Sequence, residues 1–197
     1  LPLGDSITFG IGSTGQNSYR AGLYKKLTDA GASVTMVGST KSGNFAQNSH
    51  EGWSGYTITQ ISKKADNSLS KKPNVVLLMA GTNDMPRGDV QSAGKNLGAL
   101  IDKLVAALPE STILVATLTP LNMAQGKVDE FNKMIPGIVA DRAKAGKHVA
   151  VASLAAVAKN ELADGVHPND AGYAKMATAW FGAIEAAAEK GWIKDPQ

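Results

Sequence analysis

The stretch Val75-Val76-Leu77-Leu78-Met79-Ala80-Gly81-Thr82-Asn83-Asp84 decides the fold class of this chain. It opens with an unbroken apolar run, so a strand formed here presents no polar face to water and must be buried on both sides. Strands covered on both faces are typical of parallel sheets that lie between layers of helices. We therefore predict a central strand of a parallel sheet, with the polar residues placed just beyond its carboxyl end.

Short apolar runs alternate with longer amphipathic stretches on either side of this strand. From Leu97 to Leu108, and again from Tyr173 to Ile184, apolar residues recur at helical spacing, which predicts helices with one buried stripe. Strands separated by helices, without hairpin turns, predict a single α/β domain over residues 1–197. We expect a three-layer α/β/α sandwich whose five-stranded parallel sheet has the flavodoxin-like order 2-1-3-4-5. The predicted strands are Leu1–Leu3, Val34–Val37, Val75–Met79, Ile113–Ala116 and His148–Val151.

The composition fits a globular chain and narrows the classes of function. Of the 197 residues, 43% are hydrophobic and 19% are charged, and a chain of this length can bury about 70% of its unfolded surface. The absence of cysteine excludes disulfides, thiolate metal sites and a cysteine nucleophile. No apolar run reaches the roughly 18 residues needed to cross a membrane, so no membrane partner is expected. The net charge of +3 is scattered in lysine doublets, without the basic stripe expected of a nucleic-acid partner.

Side chains with the chemistry of a serine hydrolase occur near both ends of the chain. Ser6 follows the first predicted strand in Gly4-Asp5-Ser6-Ile7-Thr8-Phe9-Gly10, and Asp164 precedes His167 by three residues. A serine hydroxyl needs an imidazole to take its proton, and the imidazole needs a carboxylate to fix its tautomer. Active sites of parallel sheets lie beyond the carboxyl ends of the strands, where Ser6, Asn83 and the Asp164–His167 loop would all fall. An asparagine placed there can donate its amide to a developing oxyanion.

Each of these segments also has a purely structural interpretation. Ser6 could cap a helix at a strand–turn–helix corner, and Asp164 could cap a helix while His167 lies at the surface. The conjunction of both segments with Gly81-Thr82-Asn83-Asp84 favours the catalytic interpretation. The sequence therefore predicts a serine hydrolase whose catalytic residues are Ser6, Asp164 and His167.

Other functional templates fit the sequence poorly. The nucleophile elbow Gly-x-Ser-x-Gly of α/β-hydrolases is absent, and so is a pair of histidines at helical spacing for a catalytic zinc ion, so no metal and no cofactor is predicted. Gly10-Ile11-Gly12-Ser13-Thr14-Gly15 matches the dinucleotide pattern Gly-x-Gly-x-x-Gly, but it does not follow the strand directly, and we expect a flexible loop at the rim of the site instead. His50 is expected in a substrate-facing loop without a serine motif beside it, and His148 in a buried strand.

These residues together resemble the SGNH (GDSL-type) hydrolase family, which is named for the Ser, Gly, Asn and His of its four sequence blocks. The resemblance implies that Ser6 is the nucleophile and that Asp164 and His167 complete the triad. It also assigns Gly55, in Trp53-Ser54-Gly55-Tyr56-Thr57, to the second block and Asn83 to the third. The oxyanion hole would then consist of the backbone N–H groups of Ser6 and Gly55 and the side-chain amide of Asn83.

Within that family, two segments are similar to carbohydrate esterase family three, the acetylxylan esterases. They are His50-Glu51-Gly52-Trp53-Ser54-Gly55 and Asp164-Gly165-Val166-His167-Pro168. The similarity implies removal of acetyl groups from an acetylated polysaccharide or oligosaccharide, with xylan the expected polymer. It also implies a secreted, extracellular enzyme with metal-independent catalysis, often attached to a carbohydrate-binding module. We expect four side chains to contact the substrate: Trp53, Tyr56, Asp84 and Met85.

Two alternatives remain open at this point. One is a thioesterase or lysophospholipase of the same fold that acts on a small substrate, and the other is a carbohydrate-binding protein without catalytic activity. The sequence offers no long apolar lid or amphipathic surface helix for a lipid tail, which favours a short acyl group. A monomer is expected.

Overall fold

The fold is built on a six-stranded sheet in the computed structural model, which describes residues 1–195. The order across the sheet is β2-β3-β1-β4-β5-β6. β2 is a short antiparallel edge strand, and the remaining strands pair in parallel. The parallel strands alone follow the order 2-1-3-4-5, so the flavodoxin-like topology expected from the sequence is confirmed. The strands are β1 Pro2–Gly4, β2 Thr40–Lys41, β3 Ser49–Gly52, β4 Val75–Met79, β5 Thr112–Ala116 and β6 Val149–Ala152.

Two groups of helices flank this sheet. The helices are α1 Ser6–Phe9, α2 Ser18–Asp29, α3 Ile58–Leu69, α4 Asp84–Arg87, α5 Val90–Ala107, α6 Gln125–Lys144 and α7 Asp170–Glu189. In one group α2 packs on α7, and in the other α3 packs on α5 and α5 on α6. Short 3₁₀ turns lie at Thr14–Gln16, Asn122–Ala124 and Lys159–Glu161. None of the helices within residues 1–195 combines the length and apolar character needed to cross a bilayer.

The apolar faces predicted for α5 and α7 are buried in the core of the molecule. Leu97, Ile101 and Leu104 of α5 are buried, as the helical spacing predicted. In α7 the indole of Trp180 is buried and lies 5.7 Å from the ring of Tyr19 in α2. At the start of α7, the Asn169 side chain accepts the backbone N–H of Gly172 at 3.1 Å. Asn169 is therefore the N-cap of this helix.

One predicted strand was wrong. Residues 34–37 form no ladder, and the N–H of Met36 donates instead to the side chain of Gln47 at 3.3 Å. The position beside β1 is taken by β3, where Leu3 pairs with Glu51 and Gly4 with Gly52. β3 reads Ser-His-Glu-Gly and carries no hydrophobic signal, because the side chains that it buries, His50 and Glu51, are polar and form hydrogen bonds. A pattern search for apolar runs therefore selects the wrong segment.

A buried guanidinium ties the loops around β1 together. Arg20 of α2 is completely buried, and burial lowers its pKa to about 10, so it stays positive at neutral pH. The hydroxyl of Ser42 accepts from its Nη2 at 2.8 Å. Backbone carbonyls accept its other hydrogen bonds, at 2.9 to 3.1 Å, and they belong to Thr8, Phe9, Gln16, Ser42 and Asn48. One side chain thus joins the end of α1 to segments that are distant in the sequence.

Replacing Arg20 by methionine should lower the free energy of unfolding by at least about 3 kcal/mol, because several buried carbonyls lose a charged donor. Urea unfolding followed by circular dichroism measures this loss. Lys25→Met is the matched control on the same helix, since Lys25 is 75% exposed and forms a surface ion pair with Asp29. The control should stay within about 0.5 kcal/mol of the wild type. Equal losses in the two variants would show that the Arg20 contacts contribute little.

Candidate active site

The residues singled out by the sequence meet at the carboxyl edge of the sheet. Ser6 begins α1 directly after β1, and Asn83 follows β4 at the start of α4. The loop that contains Asp164 and His167 precedes α7. Their placement follows from the parallel register, because the carboxyl ends of parallel strands share one edge of the sheet.

Ser6, His167 and Asp164 form a continuous hydrogen-bonded chain. His167 Nε2 lies 2.8 Å from Ser6 Oγ, and His167 Nδ1 lies 2.7 Å from Asp164 Oδ2. An ionised carboxylate can only accept, so the proton resides on Nδ1 and Nε2 accepts the hydroxyl hydrogen of Ser6. The arrangement is therefore ready for proton transfer from serine to imidazole.

The turn around Gly165 explains how the side chains of Asp164 and His167 can meet although they lie only three residues apart. Asp164 Oδ1 accepts the N–H groups of Val166 at 3.0 Å and of His167 at 2.8 Å, which folds the segment back on itself. Gly165 has a φ of +82°, a left-handed conformation in which a glycine is favoured. Burial by itself would raise the pKa of Asp164, but the hydrogen bonds from His167 and Val166 hold that pKa below its ordinary value. The carboxylate consequently stays ionised beside the imidazole.

The N-terminal end of α1 sets the position of Ser6. The Asp5 side chain accepts the N–H of Ile7 at 2.9 Å and so caps this short helix. Asp5 is completely buried, and burial raises its pKa to about 6. Gly10 ends the helix with a φ of +113°. Ser6 is therefore held in a tight corner that is fixed at both ends.

Three donors predicted for an oxyanion hole lie at this same edge. The backbone N–H groups of Ser6 and Gly55 donate to no carbonyl within the described residues 1–195. The Asn83 amide donates to the carbonyl of Tyr56 at 3.1 Å, and since an amide carries two N–H bonds, one remains for another acceptor. Trp53 N–H donates to the carbonyl of Gly4 at 3.0 Å, which joins the loop of Gly55 to the strand that precedes Ser6.

The four side chains predicted to bind substrate have different surroundings. Met85 is inaccessible and belongs to the hydrophobic core, so its predicted contact with substrate was wrong. Asp84 is almost buried, and its Oδ2 accepts the N–H of Ile58 at 3.0 Å, which fixes the start of α3. The two residues follow Asn83 by one and two positions, but the helical turn of α4 directs them inward.

Trp53 and Tyr56 remain partly accessible, but other residues already contact the indole. Trp53 Nε1 donates to the buried carboxylate of Glu51 at 2.9 Å. The Lys64 ammonium lies 4.1 Å from the centroid of the Trp53 ring, and the Tyr56 ring lies 5.7 Å away. The indole is therefore held in one orientation by contacts within the protein.

The glycine-rich segment after α1 is an anchored loop and not the flexible one that was expected. The Thr14 N–H and hydroxyl donate to the two carboxylate oxygens of Asp170 at 2.8 and 2.6 Å, and the Tyr173 hydroxyl donates to the carbonyl of Ile11 at 2.6 Å. A Cβ at Gly12 would lie 2.9 Å from His167 Cβ, so only glycine allows this close approach. The dinucleotide-like pattern thus marks a loop that packs against the imidazole.

His50 has a structural environment and does not face substrate as expected. It lies in β3 and is completely buried. The N–H of Gly52 donates to its Nδ1 at 2.8 Å, so Nε2 carries the proton and donates to the hydroxyl of Ser42 at 2.8 Å. Burial, together with the positive charge of Arg20, lowers the pKa of His50 to about 3. This role depends on the burial of β3, which only the tertiary structure reveals.

The described part of the chain contains no cluster of three or more His, Asp or Glu side chains placed to hold a metal ion.

Comparison with known proteins identifies the family of the chain. A model of the GDSL-like lipase/acylhydrolase family matches residues 3–175. The chain belongs to this family. The resemblance to the SGNH (GDSL-type) hydrolases is thereby confirmed.

Three similar proteins are informative. The chain is 31% identical, over 94% of its length, to a multidomain esterase of Ruminococcus flavefaciens. A Clostridium thermocellum family 3 carbohydrate esterase superposes with a TM-score of 0.87 at 36% identity, covering 96% of both chains. The structure of an acetyl esterase mutant with an acetate ion superposes at 0.83 with 26% identity, covering 96% of this chain and 98% of that one. The chain spans only 28% and 56% of the lengths of the curated relatives it matches.

The pKa of His50 leads to a test by pH. In the unfolded chain His50 binds a proton below pH ~6.5, but in the folded protein it binds one only below about pH 3. The unfolded state therefore binds more protons between these pH values, and the free energy of unfolding falls as the pH drops through this window. Between pH 7.5 and 5, the wild type should lose about 2 kcal/mol more of its free energy of unfolding than His50→Gln. Urea unfolding at both pH values measures the difference. Parallel losses in the two proteins would mean that His50 titrates normally within the fold.

Proposed function

We propose that this protein is a serine esterase that removes acetyl groups from an acetylated polysaccharide, with xylan as the favoured polymer. The observation that carries the proposal is the hydrogen-bonded chain from Ser6 through His167 to Asp164, with distances of 2.8 and 2.7 Å. This constellation defines serine hydrolases irrespective of fold. Membership of a family of lipases and acylhydrolases supports the same class of reaction.

In the proposed acylation step, Ser6 Oγ attacks the carbonyl carbon of the ester while His167 Nε2 takes the hydroxyl proton. A bond forms between Oγ and carbon, and the carbonyl electrons move onto oxygen. The tetrahedral intermediate collapses as the imidazolium returns its proton to the leaving sugar oxygen. Asp164 keeps the imidazole in the required tautomer and stabilises its positive charge. The result is an acetyl-Ser6 enzyme and a free sugar hydroxyl.

In deacylation, water takes the place of the sugar. His167 removes a proton from the water as it attacks the acetyl carbon, and the same proton then passes to Ser6 Oγ. Acetate leaves and the free serine is restored. In both steps the negative charge on the carbonyl oxygen would be stabilised by the N–H groups of Ser6 and Gly55 and by the Asn83 amide.

Two observations support an acetylated polysaccharide as the substrate. They are the kinds of protein that have a similar structure and the scarcity of exposed apolar side chains. A family 3 carbohydrate esterase and an acetyl esterase are among the proteins of similar structure. A long acyl chain would need an apolar groove or lid, but Met123 is the single large hydrophobic residue that is exposed within residues 1–195. Trp53 and Tyr56 are proposed to border the acyl or sugar position, since they flank Gly55.

Attachment to other modules, location and oligomeric state are also proposals. The match to part of a multidomain esterase supports attachment to other modules, such as a carbohydrate-binding one. A polymeric substrate of this kind supports action outside the cell. The scarcity of exposed apolar side chains in the described residues supports a monomer.

A panel of substrates tests the proposed reaction. Acetate release should be measured on acetylated xylan, acetylated pectin, chitin oligomers and an acyl-CoA. We expect release from acetylated xylan to be fastest. Preference for the acyl-CoA would support a thioesterase, and binding to xylan without acetate release would support a non-catalytic carbohydrate-binding protein.

Ser6→Ala should reduce kcat for p-nitrophenyl acetate by at least ~10⁴-fold, because no other group replaces the nucleophile. The matched control is Ser153→Ala, which changes an exposed serine at the same edge of the sheet, just beyond β6. Circular dichroism should show that both variants fold. A folded Ser6→Ala protein that kept more than a few per cent of the activity would exclude Ser6 as the nucleophile.

The length of the acyl chain separates the proposed function from a lipid esterase. We expect kcat/KM to fall at least tenfold from p-nitrophenyl acetate through butyrate to octanoate. In a lipid-binding groove each added methylene would instead contribute about 0.8 kcal/mol to binding. A series that rises with chain length would assign the protein to the lysophospholipase or thioesterase class.

A further inference from the structure

The loop of Gly55 is fastened to helix α4 at three points. Asn83 donates to the carbonyl of Tyr56 at 3.1 Å, and the N–H of Ile58 donates to Asp84 at 3.0 Å. At the other end of α4, Arg87 Nη1 donates to the carbonyl of Gly55 at 2.7 Å. Neither composition nor any motif indicates this third contact, because Arg87 lies 32 residues from Gly55 along the chain.

The conformation of Gly55 determines where its N–H points. Residues 53–56 form a β-turn in which Tyr56 N–H donates to the carbonyl of Trp53 at 3.2 Å. Gly55 occupies the third position of this turn with a φ of +79°, the conformation of a type II turn. Type I and type II turns differ in the orientation of their central peptide group, which carries the Gly55 N–H. A flip of that peptide would remove the N–H from the proposed oxyanion hole.

One side of the turn is open and offers no packing against such a flip. A Cβ built on Gly55 would meet no atom within 4 Å apart from its chain neighbours, so the Cβ side of this residue is open. Ser54, the other central residue, is exposed. The turn is therefore held by hydrogen bonds at its ends, of which the charged one from Arg87 contacts Gly55 itself. Hydrogen bonds from a charged donor are the stronger kind.

We propose that Arg87 is a positioning residue that keeps the Gly55 N–H directed at the oxyanion. Its guanidinium holds the carbonyl of Gly55 at 2.7 Å and thereby fixes the position of the turn, and of the N–H that the turn carries, relative to α4. Arg87 acts through Gly55 and makes no contact with the substrate. This inference rests on the proposed function, because it concerns the stabilisation of the ester's transition state.

The charged groups near Arg87 allow a matched control. Lys127 of α6 is also an exposed cation, and its Nζ donates to the carbonyl of Gly88 at 2.8 Å. Lys127→Ala therefore removes one positive charge and one side chain–carbonyl bond from the adjoining residue, without touching the turn. Asn83 is unsuitable for this comparison, since its own amide is a proposed oxyanion donor.

The experiment compares wild type, Arg87→Ala, Arg87→Lys and Lys127→Ala with p-nitrophenyl acetate. An oxyanion donor acts mainly on the transition state, so Arg87→Ala should lower kcat about tenfold or more with KM changed less than about twofold. Arg87→Lys keeps a charged donor and should recover most of the lost kcat. Lys127→Ala should match the wild type. Thermal unfolding of all four proteins should occur within a few degrees.

The remaining outcomes overturn the inference. An unchanged kcat in Arg87→Ala would show that the turn keeps its shape unaided, and a rise confined to KM would make Arg87 a substrate-binding residue. A loss of kcat accompanied by a large fall in the unfolding temperature, and not restored in Arg87→Lys, would make its role structural. Failure of the proposed function is recognised separately, because the wild type itself would then show no Ser6-dependent turnover.

Discussion

The parallel register of β1 between β3 and β4 is the constraint on which the candidate site depends. Gly4 lies opposite Gly52 on one side and opposite Met79 on the other. A side chain at position 4 would overlap the carbonyl of Met79 and the hydroxyl of Thr8, so the strands approach this closely only with glycine. Each strand then continues into a loop with a proposed function. A shift of one residue would separate Ser6 from the turn of Gly55 and from Asn83.

That register is supported by polar groups in the interior, which is an unusual way to hold a sheet. The buried side chains of His50 and Glu51 lie in β3, and Arg20 approaches from α2. The Glu51 carboxylate accepts hydrogen bonds from the N–H of Ser39 at 2.6 Å, from the Ser68 hydroxyl at 2.5 Å and from the Trp53 indole at 2.9 Å. Buried polar groups are costly unless they are paired. These contacts satisfy them, and they tie the Trp53 loop to the body of the protein.

The groups of the site differ in how far apart they lie in the sequence. Asp164 and His167 are brought together by a local turn, so their spacing alone indicates the pair. His167 and Ser6 are separated by 161 residues and meet only because α7 packs on α2 and the loop of Gly12 closes against the imidazole. The contact between Arg87 and Gly55 is of the same long-range kind. The distances between these groups therefore depend on the whole fold. The residue types themselves can be recognised from short segments of the sequence.

The sequence by itself determined the α/β class, four of the five predicted strands, the buried stripes of α5 and α7, and the residues that make up the candidate site. These features are recorded in short-range patterns, namely apolar runs, helical spacing and polar residues just after strands. Only the tertiary structure decided that β3 and not residues 34–37 lies beside β1, that His50 is buried, that Met85 faces the core and that Arg87 reaches Gly55. The reason is physical: a buried polar strand and a contact between distant loops depend on partners supplied by other parts of the chain, and no local pattern contains those partners.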